Sequence, residues 1–405
     1  MKILFLTLLD FDNIDEHNIY TDLLREFKKN GHKIYVISPI EKKKKKSTYI
    51  VKENEDVTIL KVKIGNIQKT NFIEKGISTL TIERCFVNGI KKYFSDVKFD
   101  LVLYSTPPIT FYRAIAYIKQ RDRAKTYLML KDIFPQNAVD LDILRKTGIK
   151  GFIYRYFRRK EKKLYAVSDR IGCMSQANVD YICKHNPEIS PSKIEICPNS
   201  IEVINRNITN DEIVDIRKKY EIPLNKIVFV YGGNLGRPQG IDFLIECLKT
   251  QKDNQKVFFL IIGSGTEYRK LQDFIRIEEA SNVLLMQQLP REEYEQMIES
   301  CDVGMIFLDY RFTIPNFPSR ILSYMQAKLP VFAVTDPNTD MGRTIVDGDF
   351  GWWCLSNDIK KFNSLIEIIC KSDLKGMGKL SFEFLQKEYS VNNTYRLIER
   401  WKSKS

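Results

Sequence analysis

Residues 230–245, VYGGNLGRPQGIDFLI, combine residue types that suit a phosphate group. An apolar strand runs into a turn where Gly232, Gly233 and Gly236 permit a sharp bend and bring bare amides close to a ligand. A helix opening at about Gly240 adds oriented N–H groups and a positive dipole end. Arg237 supplies a permanent, planar cation fit for two oxygens of one phosphate. The spacing matches neither G-x-G-x-x-G nor the P-loop, and a tight turn with an incidental arginine has the same composition. PNFPSRILSYMQAKLPVFAVTD (315–336) offers a second helix start at Pro318-Ser319-Arg320, with an expected serine cap, amide donors and another cation. Its plainer reading is an amphipathic helix with an exposed arginine. The following TDPNTDMG (335–342) carries Asp336, Asn338 and Asp340, suited to ligand hydroxyls or to shaping turns. IIGSGTEYRKL (261–271) is a third strand–glycine–helix turn, with Gly263 at its bend.

In the first half, LMLKDIFPQNAVDLDIL (128–144) places Lys131 and Asp132 at the C-terminal end of a strand. Asp132 is the best candidate for an acidic catalytic or orienting group. LDFDNIDEHNIYTDLL (9–24) is a long polar loop with Asp15, Glu16, His17 and Tyr20, and an ordinary capped helix start explains Asp15 equally well. No metal site is expected. The three histidines form no cluster, and the eight cysteines show no C-x-x-C spacing. Reduced, buried thiols of a cytosolic protein are the better reading. Three D-x-D matches (Asp10/Asp12, Asp140/Asp142, Asp347/Asp349) arise readily by chance among 51 acidic residues.

These segments sit in a repeated strand–helix pattern. KILFLT (2–7), KIYVIS (33–38), DLVLYS (100–105), TYLMLK (126–131), RIGCMS (170–175) and KIEIC (193–197) read as strands with helices between. Continuous apolar runs of this kind mark strands buried on both faces of a parallel sheet. CPNSIEVINRNITNDE (197–212) lacks periodicity and reads as a linker. A second series then starts: KIVFVY (226–231), VFFLII (257–262), NVLLMQ (282–287), VGMIFL (303–308) and LPVFAV (329–334). A chain of 405 residues fits two such domains. The expected boundaries are 1–200, 201–385, and a terminal helix over 386–405 able to cross back to the first domain. Ligands are expected at the C-terminal ends of the strands, in a cleft between two facing Rossmann-like sheets.

Charge is uneven. Residues 1–200 carry 37 Lys/Arg against 23 Asp/Glu (+14), and residues 201–405 carry 27 against 28 (−1). KTGIKGFIYRYFRRKEKKLYAVSDR (146–170) packs eight cations, Lys146 to Lys163, against Glu161 alone, with Phe152, Ile153, Tyr156, Phe157 and Leu164 at helical spacing. A basic, aromatic, amphipathic helix suits an anionic membrane surface. A core-facing stripe with a solvated outer face is the alternative, and no nucleic-acid recognition motif accompanies the charge. The apolar run at the N-terminus meets Asp10 too early for a secretory leader or a membrane span, so a cytoplasmic location, peripheral to a membrane, is expected.

The glycine loop resembles the one that opens the C-terminal domain of family 4 glycosyltransferases, and residues 315–336 resemble that family's second signature. The resemblance covers nearly the whole chain. It implies an α/β, GT-B fold of two facing, doubly wound parallel-sheet domains, and a retaining, metal-independent hexosyl transfer without a cofactor. The donor would be a nucleoside-diphosphate sugar and the acceptor a lipid-linked or oligosaccharide hydroxyl, in capsule, exopolysaccharide or lipopolysaccharide synthesis. The resemblance places Gly233, Asn234, Gly236, Arg237, Gln239, Gly263, Ser319, Arg320 and Ser323 at the donor, with Arg237 and Arg320 on the diphosphate. It puts Asp15, Glu16, His17 and Tyr20 at the acceptor, and Lys131 where many members have a histidine beside an aspartate. The chain departs from the pattern: the loop's usual arginine and lysine fall at Asn234 and Gln239, and the two signature glutamates at Pro315 and Ser323. A nucleotide-sugar 2-epimerase on the same frame, or a catalytically silent donor-binding paralogue, remain alternatives.

Overall fold

A computed structural model describes residues 1–66 and 72–404. The chain divides into two compact units, Met1–Glu202 with Val391–Ser405, and Val203–Ser390.

The first unit holds an eight-stranded sheet in the order β3-β4-β2-β1-β5-β6-β7-β8. The strands are β1 Lys2–Leu6, β2 Lys33–Glu41, β3 Tyr49–Lys52, β4 Val57–Ile64, β5 Leu101–Ser105, β6 Lys125–Leu130, β7 Arg170–Cys173 and β8 Ile194–Ile196. All pair in parallel except β3, which runs antiparallel to β4. Their apolar runs are shut from water on both faces; Ile3, Leu4, Phe5 and Leu6 are each buried. Hydrophobic runs did not betray β3 and β4. In β4, Lys61 interrupts the pattern although its side chain is fully buried, because it pairs with Asp10 and, at 3.1 Å, with Asp12. The helix Val391–Lys404 completes this unit's core: Val391, Ile398 and Trp401 join its cluster, with Tyr395 edge-on to Phe27 and Trp401 against Tyr127.

The second unit is a six-stranded parallel sheet in the order β11-β10-β9-β12-β13-β14. Its strands are β9 Ile227–Asn234, β10 Val257–Ser264, β11 Val283–Met286, β12 Val303–Phe307, β13 Val331–Thr335 and β14 Gly351–Leu355. The half-buried, aromatic β14 is a sixth strand beyond the five expected from the sequence. In both sheets the chain winds outward one way and then the other. The order therefore reverses between β1 and β5 in the first unit and between β9 and β12 in the second, where ligands of open α/β sheets bind.

Candidate active site

In the second unit, β9 carries its apolar run straight into the glycine turn. Gly233 sits at φ +124°, a conformation that a side chain rarely adopts. A Cβ on Gly263 would run into the Gly233 carbonyl, and one on Gly265 into that of Leu235, so both glycines are demanded by the close approach of β10 to the turn. The Gln239 side-chain oxygen accepts from Asn234 Nδ2 (2.9 Å) and from the Gly236 amide (3.2 Å). These two residues, expected at the donor, stitch the turn together. Gly240, at φ +58°, opens the helix Ile241–Gln251, and the Asp309 amide donates to the Pro238 carbonyl at 3.0 Å. The turn after β9 is thus tied to the segment after β12, at the reversal of strand order.

Arg320 opens the helix Arg320–Gln326. Its guanidinium carbon lies 4.4 Å from the centre of the Tyr231 ring, and a Cβ on Gly233 would come within 3.3 Å of its Nη2. Nη1 is buried and has no hydrogen-bond partner. An unmet, buried donor of this kind costs the fold about 1–3 kcal/mol. The expected serine cap is absent: Ser319 already has helical backbone angles (φ −65°, ψ −14°) and its side chain accepts no capping bond. Ser319 is exposed and Ser323 half-buried. Asp336 shapes its own turn, accepting from the amides of Asn338 (2.8 Å) and Thr339 (3.1 Å), while Asn338 donates to the Phe312 carbonyl at 2.6 Å.

Arg237 is exposed and lines a cavity of about 470 Å³ together with Gly240, Glu267, Lys270, Asp309 and Arg311. There Arg311 pairs with Asp309 at 2.8 Å and Lys270 with Glu267 at 2.7 Å. Arg237 has no such pairing among the described residues, which leaves its charge available.

In the first unit, Lys131 and Asp132 emerge from β6 and both donate their amides to Thr106 Oγ1 at 3.0 Å, beside the end of β5. Asn137 Nδ2 donates to both oxygens of Asp132 at 2.9 Å. Burial pushes the Asp132 carboxyl up to about 6, although the Ile133 amide and Asn137 favour its ionised form. Burial also pulls the Lys131 ammonium down to about 8. The Lys131 ammonium donates to Asn199 Oδ1 and stands 5.6 Å from the Tyr20 ring centre. Tyr20 thus lies near both the Lys131 ammonium and the Asp132 carboxylate, each shifted toward neutrality by burial. Asp15, Glu16 and His17 lie earlier in the same loop. His17 Nδ1 is 2.7 Å from Arg25 Nη2, which also meets Asp22 (2.5 Å) and Glu202 (3.1 Å). His17, Asp22 and Glu202 have the spacing of a metal-ligand group, but this guanidinium bridges them.

Sequence reasoning missed the tyrosines around Arg320 and the polar collar of Thr106, Asn137 and Asn199. Only the spacing of Arg320 and Tyr324, one helical turn apart, hinted at the former.

The helix Gly148–Val167 divides the basic aromatic segment. Leu164 and Tyr165 face the core, Phe157 packs edge-on to Phe134, and Arg158 and Lys160 pair with Glu161 and Glu83. Ile149 (85%), Phe152 (68%), Ile153 (41%) and Tyr156 (40%) stand exposed. No described helix is long and apolar enough to cross a membrane.

Residues 18–203 match the model of Glycosyltransferase Family 4, and residues 212–380 that of Glycosyl transferases group 1. Together the two models span most of the chain, which is a glycosyltransferase. Probable glycosyltransferase WbjE of Pseudomonas aeruginosa is 25% identical over 334 residues, covering 81% of this chain and 80% of that protein. Two solved structures share the fold throughout. HepE of Anabaena, in complex with UDP and glucose, superposes with a TM-score of 0.73 at 14% identity, over 100% of both chains. Sucrose-phosphate synthase of Thermosynechococcus elongatus gives 0.74 at 13%, over 100% of this chain and 98% of that one. The two parallel sheets are those of the GT-B fold. As a glycosyltransferase of this fold, the chain has its glycine turn at the strand-order reversal of the second sheet, and Lys131 and Asp132 at the end of β6, next to the reversal of the first.

Proposed function

We propose that this glycosyltransferase moves a hexosyl group from a nucleoside-diphosphate sugar to a hydroxyl of a lipid-linked or oligosaccharide acceptor, with retention of configuration. The observation that carries the donor assignment is the buried, unpartnered Nη1 of Arg320 beside Gly233. A guanidinium with one buried nitrogen left without an acceptor, at the strand ends where ligands bind, suits an incoming phosphate. Arg237 adds a second available charge. HepE, of the same fold, has been solved with UDP and with UDP-glucose, which supports a nucleotide-sugar donor.

The chemistry assigned to these groups is stabilisation of the leaving diphosphate. Fixed amides of the glycine turn and the guanidinium of Arg320 neutralise charge as the glycosidic bond breaks. This stabilisation calls on no divalent cation or cofactor. Asp132, with Lys131 beside it, orients the acceptor hydroxyl and draws on its proton, and Tyr20 packs against the sugar. The exposed stripe Ile149, Phe152, Ile153 and Tyr156, ringed by Lys150, Arg155 and Arg159, rests on an anionic membrane surface where a lipid-linked acceptor is presented. The likeness to WcaI of Escherichia coli, a putative colanic acid biosynthesis glycosyl transferase 22% identical over 205 residues, is in keeping with a place in polysaccharide synthesis.

Incubation with radiolabelled UDP-, GDP- and dTDP-sugars, with and without chelator, tests this reading. Transfer, or slow hydrolysis with the anomer of the donor kept, is expected. An epimerised donor would assign a 2-epimerase, and tight binding without turnover a silent paralogue.

A further inference from the structure

Arg320 carries the donor assignment, and its own short helix does not alone fix where its guanidinium lies: one tyrosine of that helix and two from other elements do so together. Tyr231, in β9, is fully buried, presents its ring face to the guanidinium at 4.4 Å, and donates its hydroxyl to the Asn234 carbonyl at 2.8 Å. Tyr324, one turn beyond Arg320, accepts the Gly232 amide proton at 3.0 Å. Tyr294, in the helix Arg291–Glu299, lies so close to Gly232 that a Cβ there would run into its hydroxyl. The guanidinium is thus stacked on one ring, and the backbone beside it is held by the other two. Meanwhile its Nη1 is left without an acceptor.

We infer that Tyr231, Tyr324 and Tyr294 are positioning residues that form an aromatic seat for Arg320, holding its guanidinium against Gly232 and Gly233 so that it meets a diphosphate oxygen without rearrangement. The inference rests on the donor reading above. It adds that the arginine delivered by the helix after β12 is prearranged for the diphosphate, whereas Asn234 and Gln239 of the glycine turn are engaged with each other. A planar guanidinium can stack on Tyr231 and still offer its edge to an anion. A lysine ammonium cannot do both.

Inorganic pyrophosphate, the part shared by all nucleoside diphosphates, is titrated into the full-length protein by NMR and calorimetry. The variants are Arg320→Ala, Arg320→Lys, Tyr231→Phe and Tyr231→Leu. Arg320→Ala should abolish saturable binding and Arg320→Lys weaken it about tenfold. Tyr231→Phe keeps the ring and should stay within about twofold of the parent, whereas Tyr231→Leu should lose about tenfold. The Arg320 Nε–Hε resonance, shifted upfield by the ring, should keep its position in Tyr231→Phe and lose it in Tyr231→Leu. Should Tyr231→Leu fail to fold, Arg320→Lys against Arg320→Ala and the resonance position in Tyr231→Phe still decide. Binding unaffected by Arg320→Ala overturns the donor reading together with the seat. Binding that needs Arg320 but is equal in Arg320→Lys or in Tyr231→Leu to that of the parent, or an Arg320 resonance with no ring shift, overturns the seat alone.

Discussion

Replacing Asp132 by asparagine should stabilise the first unit at high pH while stopping turnover. The carboxyl normally loses its proton near 3.8, and in the fold it does so at about 6. Below pH 4 it is protonated whether the chain is folded or not, and its burial costs little. As pH rises the unfolded chain ionises first, so the folded state falls behind from about pH 4 to 6, and the deficit is complete above that window. A gap of about two pH units corresponds to about 3 kcal/mol. Asparagine removes this deficit. Asn137 now faces Asp132 with its Nδ2, and its own Oδ1 is buried without a donor, so a flip of that amide would accept from the new side chain. Allowing about 1 kcal/mol for imperfect bonding at every pH leaves a net gain of about 2 kcal/mol at pH 8 and a small net loss, under about 1 kcal/mol, at pH 4. Trp401 reports on this unit through its contact with Tyr127, the residue after Thr126 in β6. In a Trp352→Phe, Trp353→Phe background it is the only tryptophan of the three. Urea unfolding followed by Trp401 fluorescence at pH 4, 6 and 8 should show the stabilisation growing across that range. A gain independent of pH, or destabilisation at pH 8, would refute the placement of Asp132 in a desolvated pocket.

Other outcomes follow from the same geometry. Arg237→Ala should weaken UDP or GDP binding about tenfold, measured by calorimetry, with the unfolding midpoint unchanged because the side chain is exposed and unpaired. Gly263→Ala should destabilise the second unit by several kcal/mol, seen in thermal unfolding, because a methyl there overlaps the Gly233 carbonyl. Phe152→Glu should release the protein from vesicles containing anionic lipid by at least tenfold in co-sedimentation, with its stability in solution unchanged. Lys131→Met should move the alkaline limb of the pH–rate profile, which otherwise bends near 8 as the lysine loses its proton.

The sequence alone determined the two parallel sheets and the turns that end their strands. Unbroken apolar runs such as Leu4–Leu6 and Phe258–Ile262 have one comfortable setting, a strand covered on both faces. Glycines at a strand's end state where a backbone must bend or come close to its neighbour. The glycine turn, Arg320, Lys131 and Asp132 were legible for that reason. The strand β4 was not, since a lysine that proves buried breaks its apolar signal, and neither was the short β14. Only the tertiary structure could decide which polar groups meet. Arg320 and Tyr231 are far apart in the chain, as are Asn199 and Lys131, and their meeting depends on which strands are neighbours. The same packing left Arg320 Nη1 without an acceptor and drew Asp132 toward neutrality. Desolvation is a property of everything around a side chain, and no spacing within one segment records it.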